Sequence, residues 1–367
     1  MVKITHLFKT YFPDSQGGLE EAIRQIGKYS VKNGYDVKVV SVSNNPIKTT
    51  LDGIKVESFK RTFGNNSFPV SFSLVRNFRS IIKDTDIIHI YYPYPLTELL
   101  TILSFTSKPI VVTFVCDIFE RKIFRFLYKP FIFLLFKKAK FIVPINENLY
   151  ASTKFLHRYK DKIIVINLWI DSERMNKLDK SLLIGKENII PNKFAVFVGV
   201  LRWYKGLDIL LDSAKHIKYE IIIIGKGPLY EHLNQRINDE KIENVKLLGF
   251  VEEELMIDYV KNCSFLVLPS ISPAEAFGQV LLEASFFSKP MITTELGTGT
   301  SYVNKHNETG FVIEPNNSNA LAEAMNTLFN NDELRLKMGE SANNRLKTIF
   351  TEDFQGHKYD EIYKSLK

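Results

Sequence analysis

Residues 263–287 read CSFLVLPSISPAEAFGQVLLEASFF, and their hydrophobic period changes in mid-course. The first seven, CSFLVLP, are continuously apolar and β-prone, the pattern of a strand covered on both faces, whereas QVLLEASFF (279–287) repeats at helical spacing. The segment between them is the carboxyl end of a parallel strand, which is where ligands bind in open α/β sheets. Gly278 has no Cβ, so backbone can approach a ligand there. The N–H groups of the first helical turn, with the helix dipole, favour a diphosphate. Glu275 stands before the helix, near where a sugar would lie. Glu283, over a turn inside, is placed to accept two hydrogen bonds from a ribose diol. Two glutamates eight residues apart say little alone; their setting of strand, proline loop, Phe277-Gly278 and helix is the informative part.

The same alternation of strand and helix runs outward along the whole chain, implying parallel sheets with right-handed crossovers. The first unit is VKITHLF, a loop KTYFPDSQGG, a helix LEEAIRQIGKYSVKNG ending at Gly34, and the strand YDVKVVSV. Further strand patterns are GIKVESF (53–59), DIIHIYY (86–92), KPIVVTFV (108–115), KFIVPI (140–145) and KIIVIN (162–167). Residues 171–192 lose periodicity, become polar and read as a linker. A second set follows at KFAVFVGV (193–200), YEIIIIG (219–225), VKLLGF (245–250), SFLVLP (264–269) and KPMITTE (289–295), with helical pattern from about Ala320 onward. This order predicts two doubly wound domains facing a cleft.

At 367 residues the chain exceeds one typical core, and 45% hydrophobic with 24% charged residues is a globular composition. Cys116 and Cys263 lie far apart in apolar contexts, which argues against a disulfide framework or thiolate metal site and for a reducing cytoplasm. The start, MVKITHLF, enters a strand directly and lacks the regions of a secretory signal. Residues 1–190 hold 29 Lys/Arg against 17 Asp/Glu, a balance of +12, whereas 191–367 hold 19 against 24, a balance of −5. No nucleic-acid motif accompanies the basic half. An anionic membrane surface suits it better, because 121–140, RKIFRFLYKPFIFLLFKKAK, interleaves seven Lys/Arg with apolar and aromatic side chains. Its uninterrupted apolar run, Pro130 to Phe136, is too short to span a bilayer.

Other strand-to-helix junctions carry chemistry of the same kind. Gln16-Gly17-Gly18-Leu19-Glu20 follows the first strand, with paired glycines and a helix start suited to phosphate. Gly199-Val200-Leu201-Arg202-Trp203-Tyr204-Lys205-Gly206 places two cations at a helix start. A departing diphosphate gains charge as its bond to the sugar breaks, so a fixed cation beside it stabilises the transition state preferentially. Lys205 and Arg202 are the candidates. Gly225-Lys226-Gly227-Pro228 follows another buried strand, without the third glycine of a dinucleotide fingerprint. Asp84-Thr85-Asp86 has the spacing of a metal-binding D-x-D, but it precedes a strand as a turn, and no metal or other cofactor is expected.

Taken together, SPAEAFGQVLLEA resembles the E-x7-E signature of retaining glycosyltransferases of the GT-B fold, in glycosyltransferase family 4. The resemblance extends over essentially the entire chain. It implies an acceptor-binding Rossmann-like domain over 1–175, a nucleotide-sugar domain over 190–345, and a last helix within 346–367 crossing back to the first domain. It makes Glu275 the contact of the donor sugar's hydroxyls and Glu283 that of the ribose. Gly17 and Gly18 match the family's GG-x-E loop over the diphosphate, and Gly225 and Gly227 its G-x-G-P loop. Leu248 to Val251 match the segment whose backbone meets the base; Val251, Ala276, Phe277 and Gly278 complete the donor contacts. Leu296 to Asn304 is similar to a loop of a bacterial O-antigen subgroup. Lys205 matches the motif G-R-L-x-x-x-K-G, in which Val200 replaces the usual Arg and leaves Arg202 as a displaced substitute. His89-Ile90-Tyr91 stands where relatives carry His-x-His, and Val115-Cys116-Asp117-Ile118 where they carry His-Ser-Asp-Ile, so Asp117 is the polar group left at that strand end.

The implied activity is metal-independent, retaining transfer of a hexose to a glycan or lipid-linked glycan in cell-surface polysaccharide synthesis. The enzyme would be cytoplasmic, peripheral on the inner face of the membrane. Mannose from GDP-mannose is favoured, with a UDP-hexose as the other donor. The alternatives are a non-catalytic subunit binding nucleotide or glycan, motivated by Val115 and Val200, and a sugar-nucleotide epimerase of the same architecture.

Overall fold

The computed structural model describes residues 1–116, 122–180 and 193–367, with the side chains of 122–127 and of residue 180 left aside. Two compact units emerge: Met1–Leu168 with Glu352–Lys367, and Trp169–Thr351.

The first unit contains β1 (Lys3–Leu7), α1 (Gly18–Lys32), β2 (Asp36–Ser43), β3 (Lys48–Leu51), β4 (Ile54–Lys60) and α2 (Phe72–Lys83). Then come β5 (Ile87–Tyr92), α3 (Pro95–Leu103), β6 (Ile110–Phe114), α4 (Lys122–Lys138), β7 (Phe141–Pro144) and α5 (Glu147–Ser152). Its sheet has the order β3-β4-β2-β1-β5-β6-β7, parallel except for β3 against β4. The crossover from β1 to β2 steps one way along this sheet, whereas those from β4 to β5, β5 to β6 and β6 to β7 step the other way. Right-handedness therefore places α1 on one face and α2, α3 and α4 on the other. On the latter face Phe136 of α4 meets Tyr92 and Phe114 edge-on, with ring centroids 5.6 and 6.2 Å away.

The second unit contains α6 (Ser172–Lys180), β8 (Phe194–Val198), α7 (Leu207–Ala214), β9 (Glu220–Ile224), α8 (Tyr230–Asp239), β10 (Val245–Gly249) and α9 (Glu253–Asn262). It continues through β11 (Phe265–Leu268), α10 (Val280–Phe286), β12 (Met291–Thr294), α11 (Gly299–Val303), β13 (Gly310–Ile313), α12 (Ser318–Asn330) and α13 (Asp332–Ile349). Every residue of β8, β11 and β12 is buried, which is why these strands read as unbroken apolar runs. The sheet order is β10-β9-β8-β11-β12-β13, parallel throughout. Asn317 and Asn331 cap α12 and α13 by accepting from the N–H three residues on.

The last helix, α14 (Glu352–Ser365), belongs to the first unit. Tyr363 OH lies 2.7 Å from His89 Nδ1, Thr113 Oγ1 lies 2.7 Å from His89 Nε2, and Tyr35 OH donates to Asp360 at 2.8 Å. His89 is thus a packed strand histidine beneath α14, and burial holds its pKa well below the usual imidazole range. His6, its neighbour across β1 and β5, hydrogen-bonds through Nδ1 to Tyr91 OH at 2.7 Å, and burial lowers its pKa to about 3.

Two segments differ from their sequence patterns. KIIVIN (162–167) is not a strand of the sheet; a single bridge joins Ile163 to Ile142, and Ile164 and Ile166 donate to Ile142 O and Pro144 O as extended chain beside β7. The polar stretch read as a linker is helical over Ser172–Lys180, because Met175 packs inward and Arg174 and Asp179 pair with Glu253 and Lys261 of α9. Residues 181–192 lie outside the described residues.

Candidate active site

In the second sheet the crossovers from β8 through β9 to β10 step one way, and those from β11 through β12 to β13 the other. The adjacent pair β8 and β11 is therefore the switch point, and the loops leaving their carboxyl ends diverge to leave a crevice. Those loops are residues 199–206 and 269–279. They bring Lys205 and Glu275 together.

Lys205 Nζ and Glu275 Oε2 form an ion pair with both residues over nine-tenths buried. Ser270 Oγ donates to the same carboxylate oxygen at 3.1 Å, and Thr294 Oγ1 at the end of β12 donates to Ser270 O. Ile271 N donates to Tyr204 O at 2.8 Å, tying one loop to the other. At Gly206, with φ +68°, an added Cβ would fall 2.0 Å from Pro269 O; only glycine allows the two loops this approach. Lys205 is thus no surface cation at a helix start. A buried ion pair commonly costs more in desolvation than it returns, so its presence at a ligand crevice marks a place where charge is required.

Arg202 of the same loop is exposed, with no ion pair among the described residues. Glu283 lies half-buried in the first turn of α10, which begins only at Val280, rather than over a turn inside. Phe277 and Gly278 are buried and Ala276 is half-buried. Gly278 holds φ +80°, and an added Cβ would meet Leu268 and Leu281 side chains at 2.8 and 3.0 Å. Backbone conformation and packing by themselves already call for glycine here. Gly299 N donates to Ala276 O at 2.9 Å, so the 296–304 loop closes on this segment.

The strand-end loops of β9 and β10 adjoin those of β8. Gly225 N donates to Gly249 O at 2.7 Å, Leu201 N to Lys226 O at 2.9 Å and Leu229 N to Leu201 O at 3.1 Å. An added Cβ on Gly227 would lie 2.5 Å from Leu201 O. Val251 is half-buried just beyond. Along this edge Val200, Trp203 and Phe250 are 45%, 52% and 55% exposed, and Lys226 Nζ sits 4.7 Å from the Phe250 ring centroid.

In the first unit, Gly17 and Gly18 are exposed at the start of α1, which no side chain caps. Gly17 is fully extended at φ −168°, so its conformation does not call for glycine; an added Cβ would meet Glu20 Oε2 at 2.8 Å. Glu20 folds back to accept from Thr10 Oγ1 and Ser15 Oγ, each at 2.8 Å, and fixes the loop. Asp117 lies outside the described residues. Asp84 and Asp86 sit at the amino end of β5, where Lys3 pairs with Asp84 and its N–H donates to Asp86 at 2.8 Å. A cavity of about 330 Å³ opens at that amino edge, where Lys55 and Lys48 face Asp36 and Glu57; it lies at the amino ends of the first sheet's parallel strands, not at the carboxyl ends where ligands bind in such sheets.

The sequence missed Ser270 and Gly206, which position the ion pair, and the exposed Trp203, Lys226 and Phe250. Gly206, Trp203, Lys226 and Phe250 all stand inside quoted motif segments, but motif matching alone gave none of them a role, and Ser270 stands only beside the Glu275 signature.

Family models match both halves of the chain: Glycosyltransferase Family 4 over residues 16–174 and Glycosyl transferases group 1 over 180–345. The O-antigen chain mannosyltransferase C of Escherichia coli is 33% identical over 369 residues, covering 100% of this chain and 99% of that protein. The chain belongs to glycosyltransferase family 4. The D-rhamnosyltransferase WbpZ of Pseudomonas aeruginosa is 32% identical to this family 4 member over 352 residues, covering 95% and 92%. Among solved structures, Anabaena Alr3699/HepE in complex with UDP superposes with a TM-score of 0.77 at 18% identity over the full length of both chains. The sucrose-phosphate synthase of Thermosynechococcus elongatus gives 0.79 at 16%, covering 100% of this chain and 99% of that one. The fold of this family 4 glycosyltransferase is accordingly GT-B, with two Rossmann-like units.

Proposed function

We propose that this glycosyltransferase moves a hexose of manno configuration from its GDP ester to a glycan or lipid-linked glycan, with retention of anomeric configuration. The observation that carries this reading is the buried Lys205–Glu275 pair at the switch point. The bond between the anomeric carbon and the diphosphate oxygen breaks, and its electron pair leaves with the nucleoside diphosphate. Lys205 meets that growing charge, with Arg202 as a second, exposed cation. Glu275 faces the donor sugar as it becomes oxocarbenium-like. The acceptor hydroxyl attacks from the face the diphosphate leaves and gives its proton to a diphosphate oxygen, so no protein nucleophile takes part. A fixed cation already serves the leaving group, and a metal ion is not needed.

The manno preference is supported by the two relatives that match over nearly the whole chain, one named for mannose and the other for D-rhamnose, its 6-deoxy counterpart. The first is named for the O-antigen chain, which supports polysaccharide synthesis, and both are named as transferases, which supports transfer rather than epimerisation or a non-catalytic subunit. Peripheral attachment to the inner face of the cell membrane is part of the same reading. In the described half of α4, Phe131, Phe133, Leu134, Lys129 and Lys137 are exposed together, and no helix among the described residues is long and apolar enough to cross a membrane. The test is a panel of GDP-mannose, GDP-D-rhamnose, UDP-glucose and UDP-N-acetylglucosamine offered to pure protein with oligosaccharide acceptors. Acceptor-dependent release of GDP from the manno donors, with an α-linked product, is expected. Release of UDP alone would replace the donor assignment.

A further inference from the structure

The first unit presents a second apolar surface, formed by the connection from β4 to α2. Thr62 N donates to Val70 O at 2.7 Å and Val70 N to Phe63 O at 2.9 Å, closing a hairpin. Asn65 Oδ1 accepts from Ser67 N and Phe68 N at its turn, and Tyr94 OH donates to Pro69 O at 3.0 Å. This fixed backbone displays Phe63, Phe68 and Phe72 at 54%, 39% and 62% exposure, with the Phe63 and Phe72 ring centroids 5.7 Å apart. Ser71 caps α2, whose inner residues Leu74, Phe78, Ile81 and Ile82 are buried. Along its outer stripe Phe72, Val75, Arg76, Arg79 and Lys83 are each exposed. Residues 61–83 carry four cations, Arg61, Arg76, Arg79 and Lys83, and no carboxylate.

The inner face of α2 packs through Leu74, Phe78, Ile81 and Ile82, while more than a third of each of the three phenylalanines is left exposed. An apolar tip joined to a basic helix stripe is the arrangement of elements that lie in a bilayer's interfacial zone. We propose that the 63–72 hairpin and the outer stripe of α2 dock on an anionic membrane. The phenylalanines enter the boundary between headgroups and acyl chains, and Arg76, Arg79 and Lys83 meet anionic headgroups. Any polyanion would suit the cations alone; the phenylalanine tip selects a surface with an apolar phase beneath it. The proposal deepens the peripheral-membrane reading given above, and it uses none of the α4 residues, although α2 and α4 share a face of the sheet.

The test is co-sedimentation of the full chain with vesicles of phosphatidylcholine alone or with about 30% phosphatidylglycerol, at low and high salt. Three variants are compared with the parent: Phe63→Ser/Phe72→Ser, Arg76→Ser/Arg79→Ser/Lys83→Ser, and Lys129→Ser/Lys137→Ser on α4. Half-exposed phenylalanines that become buried should make the first variant bind anionic vesicles about 10-fold or more weakly. The second should bind more weakly at low salt and lose most of its salt dependence. Circular dichroism and donor turnover with a soluble acceptor should match the parent in both. Loss of binding in the α4 variant alone overturns this proposal and leaves the peripheral reading standing; no binding by the parent removes both. A phenylalanine variant that changes the mass seen in sedimentation velocity, with vesicle binding intact, makes the surface a protein interface and also overturns the proposal.

Discussion

Glu275 receives a hydrogen bond from Ser270 Oγ and an ion pair from Lys205, and these two neighbours should separate experimentally. Ser270 touches no ligand in this account; it aims the carboxylate. Ser270→Ala is expected to lower kcat about 10-fold with GDP affinity unchanged, and Ser270→Thr, which keeps the hydroxyl, to restore most of it. Equal kcat in the Ala variant would show that Lys205 alone sets the carboxylate. Glu283→Ala should act on binding instead. If Glu283 holds the ribose as proposed, the change removes hydrogen bonds to a group that does not react, so GDP affinity in calorimetry should weaken by about 2 kcal/mol with kcat nearly kept. Residue type and motif spacing singled out Lys205 and Glu275, which the structure brings together, and Glu283, whose role is a proposal. The role of Ser270 was not legible in the sequence, and neither was that of Gly206, although it closes the same motif as Lys205. The bond from Ser270 depends on how a five-residue turn folds back, and the demand for glycine at 206 comes from Pro269, a residue of a different loop.

Between elements, one buried acid joins two helices. Glu98 of α3 accepts from Tyr94 N and from Tyr128 OH of α4, and burial raises its carboxyl to about 7 despite both hydrogen bonds. A carboxyl whose folded pKa lies above its unfolded value of 4.5 binds its proton more tightly when folded. Its stability contribution is whole below about pH 4.5 and is lost as pH rises through about 7, at most about 3 kcal/mol. His6 and His89 work the other way: with pKa values held below 6.5, they cost stability as pH falls from there. The difference between parent and Glu98→Gln isolates the acid, since both proteins carry the histidines. Unfolding free energy measured from pH 4.5 to 8 should fall relative to the variant by up to that amount, and parallel curves would contradict the assignment. Periodicity located most strands and helices, because covered parallel strands and amphipathic helices carry different periods. It failed at 162–167, where an apolar run follows β7 without joining the sheet ladder, and at 172–180, where the helix is held by contacts with α9 rather than by its own pattern. It also passed over β3 and β13, each four residues long.

At the scale of the molecule, two parallel sheets and a C-terminal helix returned to the first unit give the GT-B architecture, and the family assignment follows from relatives that match end to end. The fold class was legible because alternation persists over hundreds of residues; the donor was not, because sugar identity depends on side chains around the crevice rather than on period or motif. If Lys205 meets the leaving diphosphate as proposed, transfer should persist in EDTA; loss of turnover restored by Mn²⁺ would contradict this. If the Lys205–Glu275 pair works on the donor, Glu275→Gln and Lys205→Ala should fail in different ways. Glu275→Gln leaves Lys205 free for phosphate, so calorimetric GDP affinity should hold or rise while kcat for transfer from GDP-mannose falls by about 10²-fold or more. Lys205→Ala should lose both, with GDP affinity down about 10-fold or more. If both variants bind GDP and turn over like the parent, the pair is structural and the active site lies elsewhere.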